Sequence, residues 1–134
     1  MIKKLLVLAF ILSAFILISC KKTPGFGGNA RIRGKVYVKQ YDPFFVYQES
    51  EYFGPNIAVQ ITFGDDISPD ATENTNANGE FEFQYMRTGK YTVNVYSKVL
   101  KDSLHPSGLV PVDTTFTINN SHDIVDLGTL TIQK

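Results

Sequence analysis

The chain has 134 residues, enough for one domain, and its 43% hydrophobic and 19% charged residues exclude disorder throughout. Thirteen basic and thirteen acidic side chains cancel, so there is no basic footprint of the kind nucleic-acid binding needs. With a single cysteine, no internal disulfide can form, and stability must come from the core.

The amino terminus opens with Met1-Ile2-Lys3-Lys4, then runs apolar from Leu5 to Ile18 apart from Ser13. A spanning helix needs about 20 apolar residues; this run has the length of a signal-peptide core. It ends in Leu17-Ile18-Ser19-Cys20, which resembles the lipobox of bacterial lipoproteins. The resemblance implies a signal peptide over 1–19, cleavage before Cys20, and acylation of the Cys20 thiol and the new amino terminus. The plain alternative is a secretory leader with a chance cysteine, or an uncleaved anchor. Loss of Lys3 and Lys4 with the leader leaves eleven basic against thirteen acidic side chains. Two or three acyl chains hold a protein firmly on a membrane, whereas one is marginal. Lys21 to Asn29 is rich in Gly and lacks periodicity, so residues 20–29 are expected to be the lipidated cysteine and a flexible tether of roughly 15–18 Å reach. Lys21 replaces the aspartate that retains enteric lipoproteins at the inner membrane, and no acidic cluster follows Cys20. By that resemblance the expected address is the outer membrane, facing the periplasm.

The domain expected over 30–134 reads as strands. Ala30 to Lys39 alternates, with Ile32, Gly34, Val36 and Val38 on one face and Arg31, Arg33, Lys35, Tyr37 and Lys39 on the other. The outer cations are either a solvated face that deters edge pairing or a stripe for anionic lipid or glycan. Ile57 to Phe63 alternates cleanly, and Ala71 to Asn76 reads as a short polar edge strand. The turn Ala77-Asn78-Gly79 precedes Phe81, Phe83 and Tyr85, which alternate with Glu80, Glu82 and Gln84. Asn-Gly suits a tight hairpin turn. After Arg87-Thr88-Gly89 come Tyr91, Val93 and Val95 on one face. Val112 to Ile118 and Ile124 to Ile132 complete the set, with Gly128 as a candidate bulge. Seven short strands without helical periodicity predict an all-β fold, a seven-stranded antiparallel Greek-key β-sandwich.

A long loop and a turn-rich stretch carry the candidate sites. Gln40 to Asn56 holds Tyr41, Phe44, Phe45, Tyr47, Tyr52 and Phe53. It exceeds a hairpin loop. Either its aromatics cap an open end of the core, with a short extra strand at Phe44–Tyr47, or they are exposed for protein or sugar contacts. Asp65, Asp66, Asp70 and Glu73 could offer oxygens to calcium, but the spacing lacks the regular acidic pattern of a calcium loop. The acids of turns commonly bond their own backbone. His105 and His122 lie in loops without a partner at metal-ligand spacing, and no nucleophile elbow or phosphate loop is present. The expectation is a non-enzyme without cofactor.

The order of the pieces Arg31-Ile32-Arg33-Gly34-Lys35-Val36, Pro55-Asn56-Ile57-Ala58-Val59-Gln60-Ile61, Thr75-x-x-x-Gly79-x-Phe81-x-Phe83 and Gly89-x-Tyr91-x-Val93-x-Val95 resembles the carboxypeptidase regulatory-like and transthyretin-like (prealbumin-like) sandwiches. The resemblance covers Ala30–Tyr96 well and the last two strands loosely; the aromatic segment at 40–56 departs from it. It implies a non-catalytic domain, here similar to small single-domain lipoproteins of Bacteroidetes. The expected function is an anchored envelope module that binds or scaffolds a protein partner, with carbohydrate binding as the alternative.

Overall fold

The computed structural model describes residues 1–3 and 23–134. The predicted leader lies outside the described residues apart from Met1–Lys3, and so does Cys20. Eight strands follow: β1 (Phe26–Tyr41), β2 (Gln48–Phe53), β3 (Ala58–Phe63), β4 (Ala71–Asn74), β5 (Glu80–Met86), β6 (Gly89–Lys98), β7 (Leu109–Ile118) and β8 (Ile124–Gln133). They form two sheets. One has β1 at its centre, bonded to β2, β5 and β8; the other runs β4-β3-β6-β7.

Three expectations change. The strand count is eight, because the aromatic segment supplies β2, and Phe44–Tyr47 is the turn before it rather than a strand. The physical cause is the length of β1. Its 16 residues outrun β5, which pairs only up to Lys35. The backbone groups beyond must find partners, and β2 takes Tyr37 to Tyr41. The fold is also not wholly antiparallel, since β8 runs parallel to β1. The chain changes sheets between β7 and β8 at the end where β1 begins, so both strands start there. Lastly, the domain begins before residue 30. Gly25 is buried, its N–H donates to the Tyr91 hydroxyl at 2.8 Å, and Phe26 packs edge-on against Phe63 with ring centroids 5.4 Å apart. The last four residues of the expected tether, Phe26–Asn29, are therefore strand. Three residues lie between Cys20 and Pro24, so four steps of 3.6 Å limit the span to about 14 Å.

β2 and β5 lie end to end along the same side of β1. Val36 shows this: its N–H donates to the Gly79 carbonyl at 2.8 Å, and its carbonyl accepts the Gly54 N–H at 2.9 Å. N–H and C=O of one extended residue point the same way, so both strands flank one edge. Gly79 is required at this splice. Its φ is +73°, and a Cβ there would stand 2.9 Å from the Val36 oxygen. The expected hairpin turn at Asn78-Gly79 is instead a crossover from β4 to β5 in the other sheet. The Asn76 carboxamide oxygen holds it, accepting the N–H groups of Asn78 and Glu80 at 2.9 and 3.0 Å. Thr75 ties the neighbouring turn, its hydroxyl accepting the Ile57 N–H at 2.8 Å and donating to the Gly54 carbonyl.

Alternation builds the core from both sheets: Ile32, Val36, Val38, Phe81, Phe83, Leu130 and Ile132 against Val59, Ile61, Tyr91, Val93 and Val95. Phe81 and Phe83 face Tyr91, Val93 and Val95, because the chain changes sheets at Arg87-Thr88. Two bulges shift the phase. In β5, Gln84 and Tyr85 oppose the single residue Arg31. Tyr85 takes φ +61° and swings out to 66% exposure, while Met86 turns inward. In β8, Leu127 and Gly128 oppose Gly34, with φ +68° at Gly128. The inward positions change there from Val125 and Leu127 to Leu130 and Ile132, so the glycine acts as the expected bulge.

Candidate functional site

At the start of β1 the cations are closed off. Arg31 lies 3.6 Å from Glu82, Arg33 3.1 Å from Asp126, and Lys35 3.0 Å from Glu80. A cleft of about 430 Å³ runs between these pairs, floored by Gly34 and Phe81. Every carboxylate named there already meets a cation, and Asp126 also accepts the Gly128 N–H at 2.9 Å. That bond, followed by Arg33, holds the Asp126 carboxyl below its ordinary range. Over Arg31, Arg33 and Lys35, the outer stripe predicted from the sequence is thus a neutralised face.

The far end of the same face differs. Tyr37, Lys39 and Tyr41 continue the outer row of β1. In register beside them lie Phe53 and Glu51 on β2 and Thr131 and Gln133 on β8. Phe53 meets Tyr37 edge-to-face at 5.2 Å between centroids, and the Lys35 ammonium sits 5.4 Å over the Phe53 ring. Phe45 stacks on Tyr41 at 5.7 Å with planes 16° apart. The surface is therefore two aromatic stations with a polar group between them, made of Lys39, Glu51 and Gln133. Burial, then the hydrogen bond and charge of Glu51, push the Tyr37 phenol above its ordinary pKa. No third layer covers this sheet among the described residues; Phe53 is 45% exposed, and Tyr37, Tyr41 and Phe45 are half-buried.

The loop leading to β2 is held by one side chain. The Asp42 carboxylate accepts the N–H groups of Val46 and Tyr47, both at 2.7 Å, and of Phe44 at 3.4 Å. These bonds, Tyr47 first, lower the Asp42 pKa. Phe45 takes φ +55° and folds back on Tyr41. Phe44, Val46 and Tyr47 point to solvent, 73%, 64% and 73% exposed. The loop lies at the end of the sandwich opposite Pro24. From Ala30 to Tyr41, β1 spans about 36 Å at 3.3 Å per residue.

The six aromatics singled out in the sequence thus divide. Tyr41, Phe45 and Phe53 join the outer face, Phe44 and Tyr47 form the tip, and Tyr52 lies opposite core-facing Val38, on the other side of the ribbon. Sequence reasoning missed Tyr37 as a site residue. The signal was present, as one aromatic in the alternate row Arg31, Arg33, Lys35, Tyr37, Lys39. Thr131 and Gln133 could be found only from the parallel pairing of β8. Of the calcium candidates, Asp65 pairs with Lys90 at 2.6 Å, Asp70 accepts the Phe63 N–H at 2.7 Å, and Asp66 and Glu73 stand exposed. Among the described residues, no three His, Cys, Asp or Glu side chains converge to hold a metal. The two histidines stay in loops: His105 lies 3.1 Å from Asp102, and His122 contacts the Ser121 hydroxyl at 3.0 Å.

No family model matches the chain, and none of the curated proteins does. Among solved structures it is similar to a Pseudomonas aeruginosa protein named a "putative carbohydrate binding protein", with 16% identity, a TM-score of 0.46, and coverage of 84% of this chain and 92% of that one. At that TM-score the likeness bears no weight for function.

Proposed function

We propose that this protein is a non-catalytic lipoprotein of the bacterial envelope, anchored through Cys20, whose sandwich is of the carboxypeptidase regulatory-like, transthyretin-like type. We infer that its outer β2-β1-β8 face binds carbohydrate. The reading rests on the uncovered row in which Tyr37 with Phe53, and Tyr41 with Phe45, flank Lys39, Glu51 and Gln133. Aromatic faces stack on the C–H faces of sugar rings, and the charged and amide groups between them satisfy hydroxyls.

A glycan array and affinity electrophoresis on polysaccharides test this on the chain from Lys21 onward. Binding should be lost in Tyr37→Ala and Tyr41→Ala and kept in Tyr85→Ala, an exposed tyrosine on β5. Retention by none of the glycans sinks the reading. The anchor is tested by Cys20→Ala in cells: loss of membrane fractionation is expected, and a mature protein still in the membrane refutes lipidation.

A protein partner is the second reading. It is favoured by the tip loop, where Asp42 holds a fixed backbone that presents Phe44, Val46 and Tyr47 outward. An ordered loop loses little entropy on docking. Photocrosslinking from Phe44 or Tyr47 in cells should then trap one discrete protein, and an absence of adducts at both positions counts against it.

A further inference from the structure

The outer face specifies more than a sugar. Given that this face binds carbohydrate, on which the inference rests, we propose that the ligand is a neutral, extended, unbranched polysaccharide, gripped along its length rather than at a chain end.

Three observations carry this. First, the stations are separated: Tyr37 and Tyr41 are four residues apart on one strand, about 13 Å at 3.3 Å per residue. A disaccharide reaches only one of them at a time, so both are filled only by a longer chain. Second, the surface is an open sheet face. The cleft lies further down β1, between Arg33, Lys35 and Glu80, and the aromatic row is bounded along the strand by single side chains, Lys35 over the Phe53 ring and Phe45 on Tyr41. A site that reads a reducing or non-reducing end needs a closed pocket around that end. A strip that follows a strand on the outside of a sheet lets an extended chain lie along it.

Third, the charges cancel locally. Lys39 and Glu51 oppose each other in register, with neutral Gln133 and Thr131 across β1. The neighbouring cations Arg31, Arg33 and Lys35 are matched by Glu82, Asp126 and Glu80. A uronate or phosphate placed between the stations would gain Lys39 and meet Glu51. Neutral hydroxyls use both, accepting from the ammonium and donating to the carboxylate.

The test is a length and charge series measured by calorimetry on the chain from Lys21 onward. The probes are cellobiose, cellotetraose and cellohexaose, with chitohexaose as a second neutral chain and hexagalacturonate as the anionic one. At least one neutral hexasaccharide should bind at least about tenfold more tightly than its disaccharide, with affinity little changed by salt. Tyr37→Ala and Tyr41→Ala should each reduce it to the disaccharide level. Lys39→Met, which keeps the aliphatic stem, should weaken it about three- to tenfold. Thermal melts of each variant separate lost binding from lost folding. The proposal is overturned if a disaccharide binds as well as its hexamer, or if hexagalacturonate binds more tightly and loses affinity with salt. Either result still leaves a carbohydrate-binding protein, whereas failure of all five probes and of the array removes both readings.

Discussion

The two halves of β1 carry the same alternation and do opposite things. Along its first half, Arg31, Arg33 and Lys35 find carboxylates on β5 and β8, and the inner face is packed by Phe81 and Phe83. Along its second half the partner is β2, all six residues of which are exposed, and the outer row is aromatic. The first half shows how a charged stripe becomes an inert surface once its counter-charges are in register. The second shows that where β1 outruns β5, its outer side chains pair with aromatics of β2 and its loop instead of with counter-charges.

The largest test of this contrast is in the core. Phe83→Ala, at a site 1% exposed, should cost about 3–5 kcal/mol in urea unfolding. A loss below about 1 kcal/mol would mean that the packed half is not packed. Next is Tyr91→Phe. The Tyr91 hydroxyl accepts the Gly25 N–H and donates to the Arg87 carbonyl, each at 2.8 Å. Its removal leaves the buried Gly25 N–H without that partner and should cost about 1–3 kcal/mol. Limited proteolysis should then cut near Gly25 sooner than in the parent. Unchanged cleavage would show that the latch does not hold the amino-terminal segment.

A smaller effect belongs to the open half. The Asp42 pKa is depressed in the folded protein, so its contribution is fully present above the ordinary carboxylate value. It is lost as pH falls through the depressed value. Amide resonances of Val46 and Tyr47 should therefore stay constant from neutral pH down to about 5 and move only in stronger acid. In Asp42→Ala they should lose their dispersion at neutral pH while the core resonances persist. The smallest change is expected for Phe44→Ser and Tyr47→Ser. Both side chains are mostly in solvent, and each should alter stability by no more than about 0.5 kcal/mol. A larger loss would turn the tip from a presented surface into part of the fold.

Much of the core could be read directly, because its signal is local. Val59 and Ile61, or Tyr91, Val93 and Val95, alternate with polar residues, and period two is a property of the strand itself. Tyr85 was misplaced by the same logic. A bulge is a relation between two strands, and Gln84-Tyr85 carries no mark of being opposed by Arg31 alone. The site was half legible for a like reason. Tyr41, Phe45 and Phe53 stood out by composition, but Thr131 and Gln133 come from β8, at the far end of the chain, and only pairing brings them beside the stations.

What the sequence determined by itself was the class of the fold and the alternation that separates core from surface, together with the resemblance that proposes an address at Cys20. These depend on residues within a few positions of one another. Tertiary structure decided the rest: that β2 exists, that β8 runs parallel to β1, that the stretch around Gly25 is locked by Tyr91, and that one stretch of cations is neutralised while its continuation is an aromatic surface. Each is a matter of which backbone hydrogen bonds close over long range, and a strand's pattern states what it buries without stating its neighbour.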